Sequence, residues 1–424
     1  MKKYIYHLIL SIVFIIIYRI GSFSKIPFGD SIGKVLDVEM NKFNLETYSV
    51  THFLYQNFTV LIYKILPLVD PIEIGRWVNI ISAVVVLNIL FIIIKQNTKN
   101  DWVALIGTIL FGFSFTFWKN TENIEVYTFS LVWISLYSLY SLKFIKNKSS
   151  RTLFVSGIIL GGSFLCHVQG ILLIPSYLFL CYLIFKKNVN QKHYLLYTLI
   201  PFVFLAILYI YPIINNEPIK NVLSSVENSW VSDSLNKGIF DYSKDFIKAI
   251  GYIIYNFWGF SLLFFFIPLK TFNKNNVLMF LLIFGLPVFC FSTIYAVSDN
   301  YVFFLNFNFS YIIILCIGLT YFIQKFPNFK MVITLLILLT PLYYYSVKEI
   351  SIQTNIGQEF NQNKSYKGGL DYYLTPWLNN NKGIIELILS NKNINDDIIW
   401  MKEPTFKFIQ LRSKKSSIDE IKKL

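Results

Sequence analysis

The sequence predicts an all-α polytopic membrane protein, and its composition, the length of its apolar runs and the distribution of its charges each favour that fold class. Of the 424 residues, 55% are hydrophobic and only 15% are charged. Soluble domains typically carry about 25% charged residues. The apolar residues here form repeated runs of roughly 20, which is the length at which a helix crosses the hydrocarbon core of a bilayer.

Eleven apolar runs are predicted to be transmembrane helices. They cover residues 4–20, 77–95, 102–118, 124–145, 152–168, 169–186, 194–214, 249–271, 277–297, 302–323 and 329–346. The first run follows Lys2 and Lys3 directly, and the residues after it do not match a signal-peptidase cleavage site. We therefore expect it to remain as a helix rather than to be removed as a signal peptide.

The charges of the loops predict the orientation. Membrane proteins concentrate lysine and arginine in cytoplasmic loops, and one set of alternate segments here carries 15 basic residues with one acid, against 10 basic residues and 14 acids in the other set. The basic loops are 143–151, 186–193, 270–276 and 324–330. This predicts a multi-pass protein of the cell (inner) membrane, with the N-terminus cytoplasmic and the C-terminus extracytoplasmic. The net charge of +14 therefore does not indicate a nucleic-acid partner, because basic residues in the cytoplasmic loops of a membrane protein explain it.

This orientation divides the chain into a transmembrane domain, 1–346, and an extracytoplasmic C-terminal segment, 347–424. Two large outer loops are expected, 21–76 and 215–248. The apolar run at 51–69 lies in the first of them, and since both ends of that loop are predicted on the outer side, the run cannot cross the bilayer alone. We expect an interfacial helix there.

The predicted spans hold almost no charge away from their ends, whereas ion-coupled transporters usually keep charged groups near the midplane. The polar candidates lie instead at the outer interface, and they are Asp30, His52, Arg76, Glu122, Glu125, His167 and Asp299. Such a cluster suits an enzyme that acts on a lipid-linked substrate at that face.

Each of these residues has a simpler explanation that the sequence leaves open. Glu122 and Glu125 suit the N-terminus of a helix, where carboxylates oppose the dipole, and His52 and His167 suit helix ends at the membrane interface. The histidines lack the spacing of a zinc motif. No cofactor is expected to be required; a divalent metal is possible with so many carboxylates but is not indicated.

Five stretches carry a resemblance to a known family. They are GDSIG at 29–33, FWKNTENIEVYTFSL at 117–131, GGSFLCHVQGILLIP at 161–175, SDNYVFFLNFNFSYIIILCIGL at 298–319 and YKGGLDYYLTPW at 366–377. In their order they resemble motifs of the GT-C superfamily of membrane glycosyltransferases. The nearest branch contains bacterial multi-pass proteins of unassigned function related to a eukaryotic endoplasmic-reticulum protein O-mannosyltransferase. The chain departs from that branch at Gly33, where the branch has an acid, and around His52, where the branch is rich in proline.

The resemblance implies a glycosyltransferase that moves a sugar from a polyprenyl-phosphate donor to a hydroxyl of a protein or glycan at the outer face, with inversion. Asp30 is then the expected general base. The residues expected to stabilise or bind the phosphate are Arg76, Lys119, His167 and His52. Those expected to orient the acceptor or support the site are Glu125, Asp299, Trp118 and Tyr127.

Two other classes of function share these features. A lipid-linked glycan flippase or transporter would need polar groups along a path through the membrane, and these are scarce here. A surface-polysaccharide ligase or polymerase would use the same donor chemistry, typically with a larger late outer loop than 215–248. A scaffold that keeps the fold without activity is the third alternative, because Gly33 replaces an expected acid.

Overall fold

A computed structural model describes residues 2–47, 52–185, 196–222, 230–297, 299–379, 381–390 and 396–424. All regular secondary structure in these ranges is helical, as the sequence predicts.

The α-helices are numbered in chain order. They are α1 (Lys2–Gly21), α2 (Ser31–Glu39), α3 (Phe53–Ile65), α4 (Pro71–Thr98), α5 (Asp101–Gly112), α6 (Phe115–Thr121), α7 (Val126–Asn147), α8 (Ser150–Cys166), α9 (Ile174–Phe185), α10 (Ile200–Ile214), α11 (Trp230–Leu235), α12 (Ile239–Phe257), α13 (Leu269–Lys274), α14 (Asn276–Ile294), α15 (Leu305–Lys325), α16 (Lys330–Leu338), α17 (Thr340–Ile352), α18 (Asn355–Asn363), α19 (Gly369–Leu374), α20 (Ile384–Leu389), α21 (Lys402–Arg412) and α22 (Ile418–Ile421). Short 3₁₀ helices cover Val168–Leu173, Ile219–Val222, Trp258–Phe266, Asn300–Phe304, Pro327–Phe329 and Asp396–Met401.

Six helical stretches in the described ranges are long and apolar enough to cross a membrane, and two bent helix pairs raise the number to eight. The six are Tyr4–Gly21, Pro71–Thr98, Val126–Asn147, Ile239–Phe266, Asn276–Ile294 and Asn300–Lys325. Three shorter apolar helices are Ser150–Cys166, Val168–Ile184 and Ile200–Ile214. Every predicted run overlaps one of these elements, but a count of eleven spans stays a prediction. The basic loop 186–193 lies outside the described residues.

The bend between α5 and α6 turns the chain by 65° and helps to form one end of the bundle. Ser114 adopts an extended backbone there, so the first amides of α6 have no partner within the helix. Asn256 of α12 compensates, because its Oδ1 accepts a hydrogen bond from the Thr116 N–H at 2.9 Å. The short helix α6 then carries Trp118 and Lys119 to the end of the bundle where α7 begins.

The predicted interfacial segment contains one helix, α3, of 13 residues. At 1.5 Å per residue it is about 20 Å long, too short for the roughly 30 Å of a hydrocarbon core. Its buried face carries Tyr55 and Gln56, while Leu61 and Ile65 on the other face are exposed. The helix is where the sequence predicts it; its position at a membrane interface stays a prediction.

The C-terminal segment packs on the first loop, and the two share a hydrophobic core. The Leu378 N–H donates to the carbonyl of Gly21 at 2.8 Å, and the Ile384 N–H donates to that of Ile26 at 3.1 Å. The buried apolar side chains of this core are Phe23, Ile26, Phe28, Ile32, Val35, Leu36, Ile72, Ile124, Leu378, Ile384, Ile385, Ile388, Met401, Phe408 and Ile421. The predicted domain boundary at 346 therefore separates segments that are packed together.

Arg412 connects the two segments through ionic hydrogen bonds. Its guanidinium donates to both carboxylate oxygens of Asp70, at 2.7 and 3.1 Å, and to Glu39 at 2.9 Å. The Glu39 side chain is only 3% exposed, and Lys415 is its second partner at 2.8 Å. Because the acid is buried, its charge depends on these partners.

Replacing Arg412 with methionine is expected to destabilise the protein by about 3 kcal/mol, because one buried carboxylate loses its principal partner. The measurement is thermal unfolding of the detergent-solubilised chain, with Lys414→Met as the control, since Lys414 is exposed on the same segment. Equal unfolding temperatures for the two variants would show that the ion pairs add little stability.

Candidate active site

Asp30 lies directly before α2, where its backbone is fixed and its carboxylate is accessible. Its N–H donates to Oε1 of Glu125 at 3.2 Å, while its side chain is 49% exposed. The preceding Gly29 has φ 113°, a conformation that favours glycine. A Cβ there would also lie 3.1 Å from the same Glu125 oxygen. The loop therefore brings the Asp30 backbone close to Glu125 through a residue without a side chain.

A second set of hydrogen bonds holds the start of α7 against α2 and α4. The Ser31 hydroxyl donates to Oδ1 of Asn123 at 2.7 Å, and the Asn79 side-chain amide donates to the backbone carbonyl of Asn123. Because Ser31 and Asn123 are adjacent to Asp30 and close to Glu125 in sequence, this bond fixes the distance between the two acids.

Glu125 is buried beside Asp30, and its burial changes its pKa. Burial raises the pKa of the Glu125 carboxyl well above its usual value, and the negative charge of Asp30 raises it further, whereas the charge of Lys34 lowers it. A buried carboxyl next to another acid is the one that retains a proton. Of the two carboxyl groups, Asp30 is the one that solvent reaches, and a general base must be accessible to the acceptor.

Two histidines stack beside Asp30. The rings of His52 and His167 are 5.2 Å apart and 14° from parallel, and Nε2 of His52 is 4.0 Å from Oδ2 of Asp30. Nδ1 of His167 accepts a hydrogen bond from the Gln169 N–H at 3.1 Å, which assigns the proton of the neutral ring to Nε2. His52 has a left-handed backbone, φ 49°, as the cap of α3.

Burial keeps both rings neutral. Burial, with a smaller contribution from the positive charge of Lys34, lowers the pKa of His52 well below its usual value and lowers the pKa of His167 to about 4. At neutral pH the two rings therefore supply hydrogen-bond donors and acceptors rather than positive charge.

The low pKa of His167 predicts that acid destabilises the protein. Between pH 6.5 and 4 the unfolded chain binds a proton at this residue and the folded chain does not, so stability falls as the pH is lowered through that window. The expected loss is about 3 kcal/mol from this residue. Comparing chemical unfolding of the wild type and His167→Gln across pH 4–7 measures it, because carboxyls contribute equally to both. Parallel pH profiles would contradict the assignment.

Lys34 is the functional candidate that the sequence analysis missed. It lies one helical turn after Asp30 on α2, is only 8% exposed, and acts electrostatically on His52, His167 and Glu125. Residues four apart share a helix face, so the spacing in GDSIGK was the available signal. Lys34 is a buried cation one helical turn along the chain from the residue with the accessible carboxylate.

Comparisons with known proteins agree with this architecture. A family model described as dolichyl-phosphate-mannose-protein mannosyltransferase matches residues 57–212. The structure of ArnT from Cupriavidus metallidurans bound to undecaprenyl phosphate superposes with a TM-score of 0.52 at 12% identity, covering 86% of this chain and 73% of that one. The resemblance to the GT-C membrane glycosyltransferases is confirmed.

A second solved structure is also similar, and it is longer than this chain. The oligosaccharyltransferase of Archaeoglobus fulgidus in complex with Zn and sulfate superposes with a TM-score of 0.50 at 12% identity, covering 84% of this chain and 56% of that chain. At this identity the two structures establish a shared fold. No curated protein matches the chain.

The remaining residues of the GT-C-like motifs fall into two groups. Tyr127 belongs to the site, because its ring lies 5.4 Å from that of His167. Asp299 lies near it as well. The charge of Asp299 raises the pKa of the Glu125 carboxyl, and the charge of Asp30 raises the pKa of Asp299.

The second group makes contacts with neighbouring segments of the chain rather than with the candidate site. It consists of Arg76, Trp118 and Lys119. Arg76 pairs with Glu73, donates to the carbonyl of Phe23 and packs on the Phe23 ring at 4.3 Å. Its contacts therefore connect α4 to the first loop, and its predicted phosphate role stays a prediction.

Trp118 and Lys119 hold the C-terminal segment. The Trp118 indole donates to Oε1 of Glu122 at 2.5 Å, and Oε2 of the same acid accepts from the Leu378 N–H at 3.0 Å. The Lys119 ammonium donates to the carbonyl of Tyr372 and lies 4.0 Å from the centre of its ring. Their predicted roles toward substrate are not tested by these contacts.

Within the described residues, no three His, Cys, Asp or Glu side chains are arranged as metal ligands. Gly33, where the GT-C branch has an acid, faces open space, since no atom lies within 4 Å of the place a Cβ would occupy.

Proposed function

We propose that the protein transfers a sugar from a polyprenyl-phosphate donor to a hydroxyl group of a protein or glycan. The observation that carries the proposal is that an accessible carboxylate, Asp30, and a buried cation, Lys34, lie one helical turn apart at the start of α2. A base for the acceptor and a counter-charge for the leaving phosphate are the two groups that such a transfer needs.

Two comparisons with known proteins support the donor class. The matched family acts with dolichyl-phosphate mannose by its description, and the similar ArnT structure binds undecaprenyl phosphate. In this chain the groups suited to a phosphate are the Lys34 ammonium and the neutral histidines beside it, because a buried positive charge attracts an anion strongly.

The reaction is a single displacement. The acceptor oxygen attacks the anomeric carbon, the bond from that carbon to the phosphate oxygen breaks, and the phosphate leaves with the electron pair. Asp30 takes the acceptor proton, and Lys34 stabilises the charge that develops on the leaving phosphate. Attack from the side opposite the leaving group inverts the configuration of the sugar.

Sidedness follows the loop charges: the site lies at the outer face of the cell membrane, with the N-terminus in the cytoplasm and the C-terminal segment outside. The hydrogen bonds between that segment and the first loop are consistent with both being on one side.

A transfer assay with purified protein tests the proposal. The protein in liposomes receives undecaprenyl-phosphate hexoses labelled in the sugar, together with cell-envelope extract from a deletion strain as the source of acceptor. Label in a product that is no longer lipid-linked is expected. Movement of labelled lipid between leaflets without a new glycosidic bond would favour the flippase alternative.

A further inference from the structure

Gln169 lies two residues after His167, and its backbone and side chain make separate hydrogen bonds near the histidine pair. It belongs to the 3₁₀ helix Val168–Leu173, which begins where α8 ends. The residue is only 6% exposed, so its polar atoms need partners within the protein. The proposed transfer reaction has so far no role for it.

The backbone N–H of Gln169 fixes the ring of His167. His167 has an extended backbone, with φ −155° and ψ 128°, and its Nδ1 accepts the Gln169 N–H at 3.1 Å, so the imidazole itself caps the 3₁₀ helix. A ring nitrogen that accepts a hydrogen bond carries no proton, and the proton of the neutral ring is then on Nε2. The position of Gln169 therefore determines the direction in which the ring can donate.

The side chain of Gln169 connects this helix to the segment that follows Asp299. Its Nε2 donates to the carbonyl of Phe303 at 2.7 Å, and its Oε1 accepts from Nδ2 of Asn306 at 3.1 Å. A carbonyl oxygen can only accept, so the Phe303 carbonyl requires the nitrogen of the Gln169 amide on its side and leaves the oxygen for Asn306. Both ends of the amide are used, and its orientation follows from these bonds.

These bonds close a ring of contacts around the His167 imidazole. Phe303, whose carbonyl is bound by Gln169, also places its side chain 6.0 Å from the ring of His167 and 5.9 Å from that of Tyr127. His52 stacks on His167 at 5.2 Å. The imidazole is therefore held through its Nδ1 by Gln169 and through its ring by aromatic neighbours.

The segment that Gln169 binds is fixed at its other end as well. Asn300 begins the 3₁₀ helix Asn300–Phe304 and is only 4% exposed. Its Oδ1 accepts from the Tyr252 hydroxyl at 3.2 Å, and its Nδ2 donates to the carbonyl of Ser292 at 3.4 Å. Because these bonds anchor the helix to α12 and α14, movement of the segment would not compensate for loss of the Gln169 amide.

We propose that Gln169 is a positioning residue that holds the neutral ring of His167 with its Nε2–H directed to the donor phosphate. The inference rests on the proposed transferase function and adds the group that orients one of its phosphate-binding histidines. Gln169 acts through His167 rather than on the substrate. A glutamine suits this position because one amide donates to a carbonyl and accepts from another amide, which neither a carboxylate nor an apolar side chain can do.

NMR of labelled histidine in the full-length chain tests the arrangement without an assay of activity. The chain has four histidines, and the signal of His167 is assigned with His167→Gln. In the wild type the ring is expected to be predominantly in the Nε2–H form. Gln169→Glu places a carboxylate oxygen opposite the Phe303 carbonyl, and Gln169→Met removes both side-chain bonds. Each is expected to shift the ratio of the two tautomers about tenfold toward Nδ1–H, the equivalent of one hydrogen bond.

Transfer kinetics on the same variants test the link to the reaction. Both are expected to lower kcat/KM about tenfold and to weaken binding of undecaprenyl phosphate by a similar factor, because a displaced donor loses its bond to the phosphate. Asn306→Leu removes only the outer bond and should have a smaller effect than Gln169→Met. Gln358→Met, at an exposed glutamine of α18, is the matched control and should change neither the tautomer of His167 nor transfer.

The possible results separate this inference from the function on which it rests. A wild-type ring with its proton on Nδ1 would overturn the inference, and so would Gln169 variants that keep the Nε2–H form, even if transfer falls. A changed tautomer with normal transfer would also refute the positioning role, because the ring would then not bind the phosphate. A wild type that neither transfers sugar nor binds undecaprenyl phosphate would contradict the proposed function, while the tautomer of His167 would still decide whether Gln169 orients it.

Discussion

Replacing Asp30 with asparagine is expected to lower the rate of sugar transfer by about 10²–10⁴-fold, the range that a positioned general base contributes. Asparagine has nearly the same shape but cannot take the acceptor proton. The side-chain change also leaves the local structure intact, because the bond to Glu125 comes from the Asp30 backbone N–H. The measurement is single-turnover transfer from the labelled undecaprenyl-phosphate hexose to the acceptor.

Two comparisons make the Asp30 result specific. Asp101→Asn applies the same change to an acid paired with Lys95 at the start of α5, and its rate should equal that of the wild type. Asp30→Asn should bind undecaprenyl phosphate normally, since the phosphate interacts with Lys34 and the histidines in the proposal. An unchanged transfer rate in Asp30→Asn would remove Asp30 from the role of base.

The helices of the bundle could be predicted from sequence because hydropathy is a local property. Each apolar run overlaps a helix or a bent helix pair, since a lipid-exposed backbone must satisfy its own hydrogen bonds. The break at Ser114 was not predicted, because the amide it frees is satisfied by Asn256, 140 residues away in sequence. Long-range partners of this kind leave no local pattern.

Only part of the candidate site could be predicted, because contacts between distant parts of the chain leave no local sequence pattern. The sequence analysis selected Asp30, His52, Glu125, His167 and Asp299, and the structure brings them together at one end of the bundle. Charge counting predicts which residues lie at one end of the spans, but it cannot distinguish those that face each other.

Arg76 and Lys34 illustrate that limit. Arg76 lies at the predicted end, yet it pairs with Glu73 three residues earlier, a spacing that is visible in the sequence. Lys34 was counted only as a loop charge, although helical spacing aligns it with Asp30. In both cases the periodicity of a helix, rather than the position along the membrane normal, decides what the side chain contacts.

Replacing Lys34 with methionine is expected to reduce kcat/KM for transfer by about 10²–10³-fold, comparable to the loss of one group that stabilises charge in a transition state. Methionine fills similar space in this buried position but carries no charge. Donor binding should weaken as well, because the phosphate is anionic before the bond breaks. Kinetics with the labelled lipid hexose, at several donor concentrations, separate the effect on binding from the effect on the chemical step.

A second measurement on the same variant is independent of catalysis. The charge of Lys34 lowers the pKa of His167, so its removal should raise that pKa from about 4 toward, but not to, the ordinary value, since burial is the larger cause. NMR titration of the ring in the folded variant measures the shift. Lys34→Arg should preserve the low pKa and part of the activity, and Lys42→Met, at an exposed lysine beyond α2, should change neither. A raised pKa with unchanged transfer would retain the electrostatic coupling and refute the phosphate role, because the lysine would then be close to the histidines without being close to the leaving group.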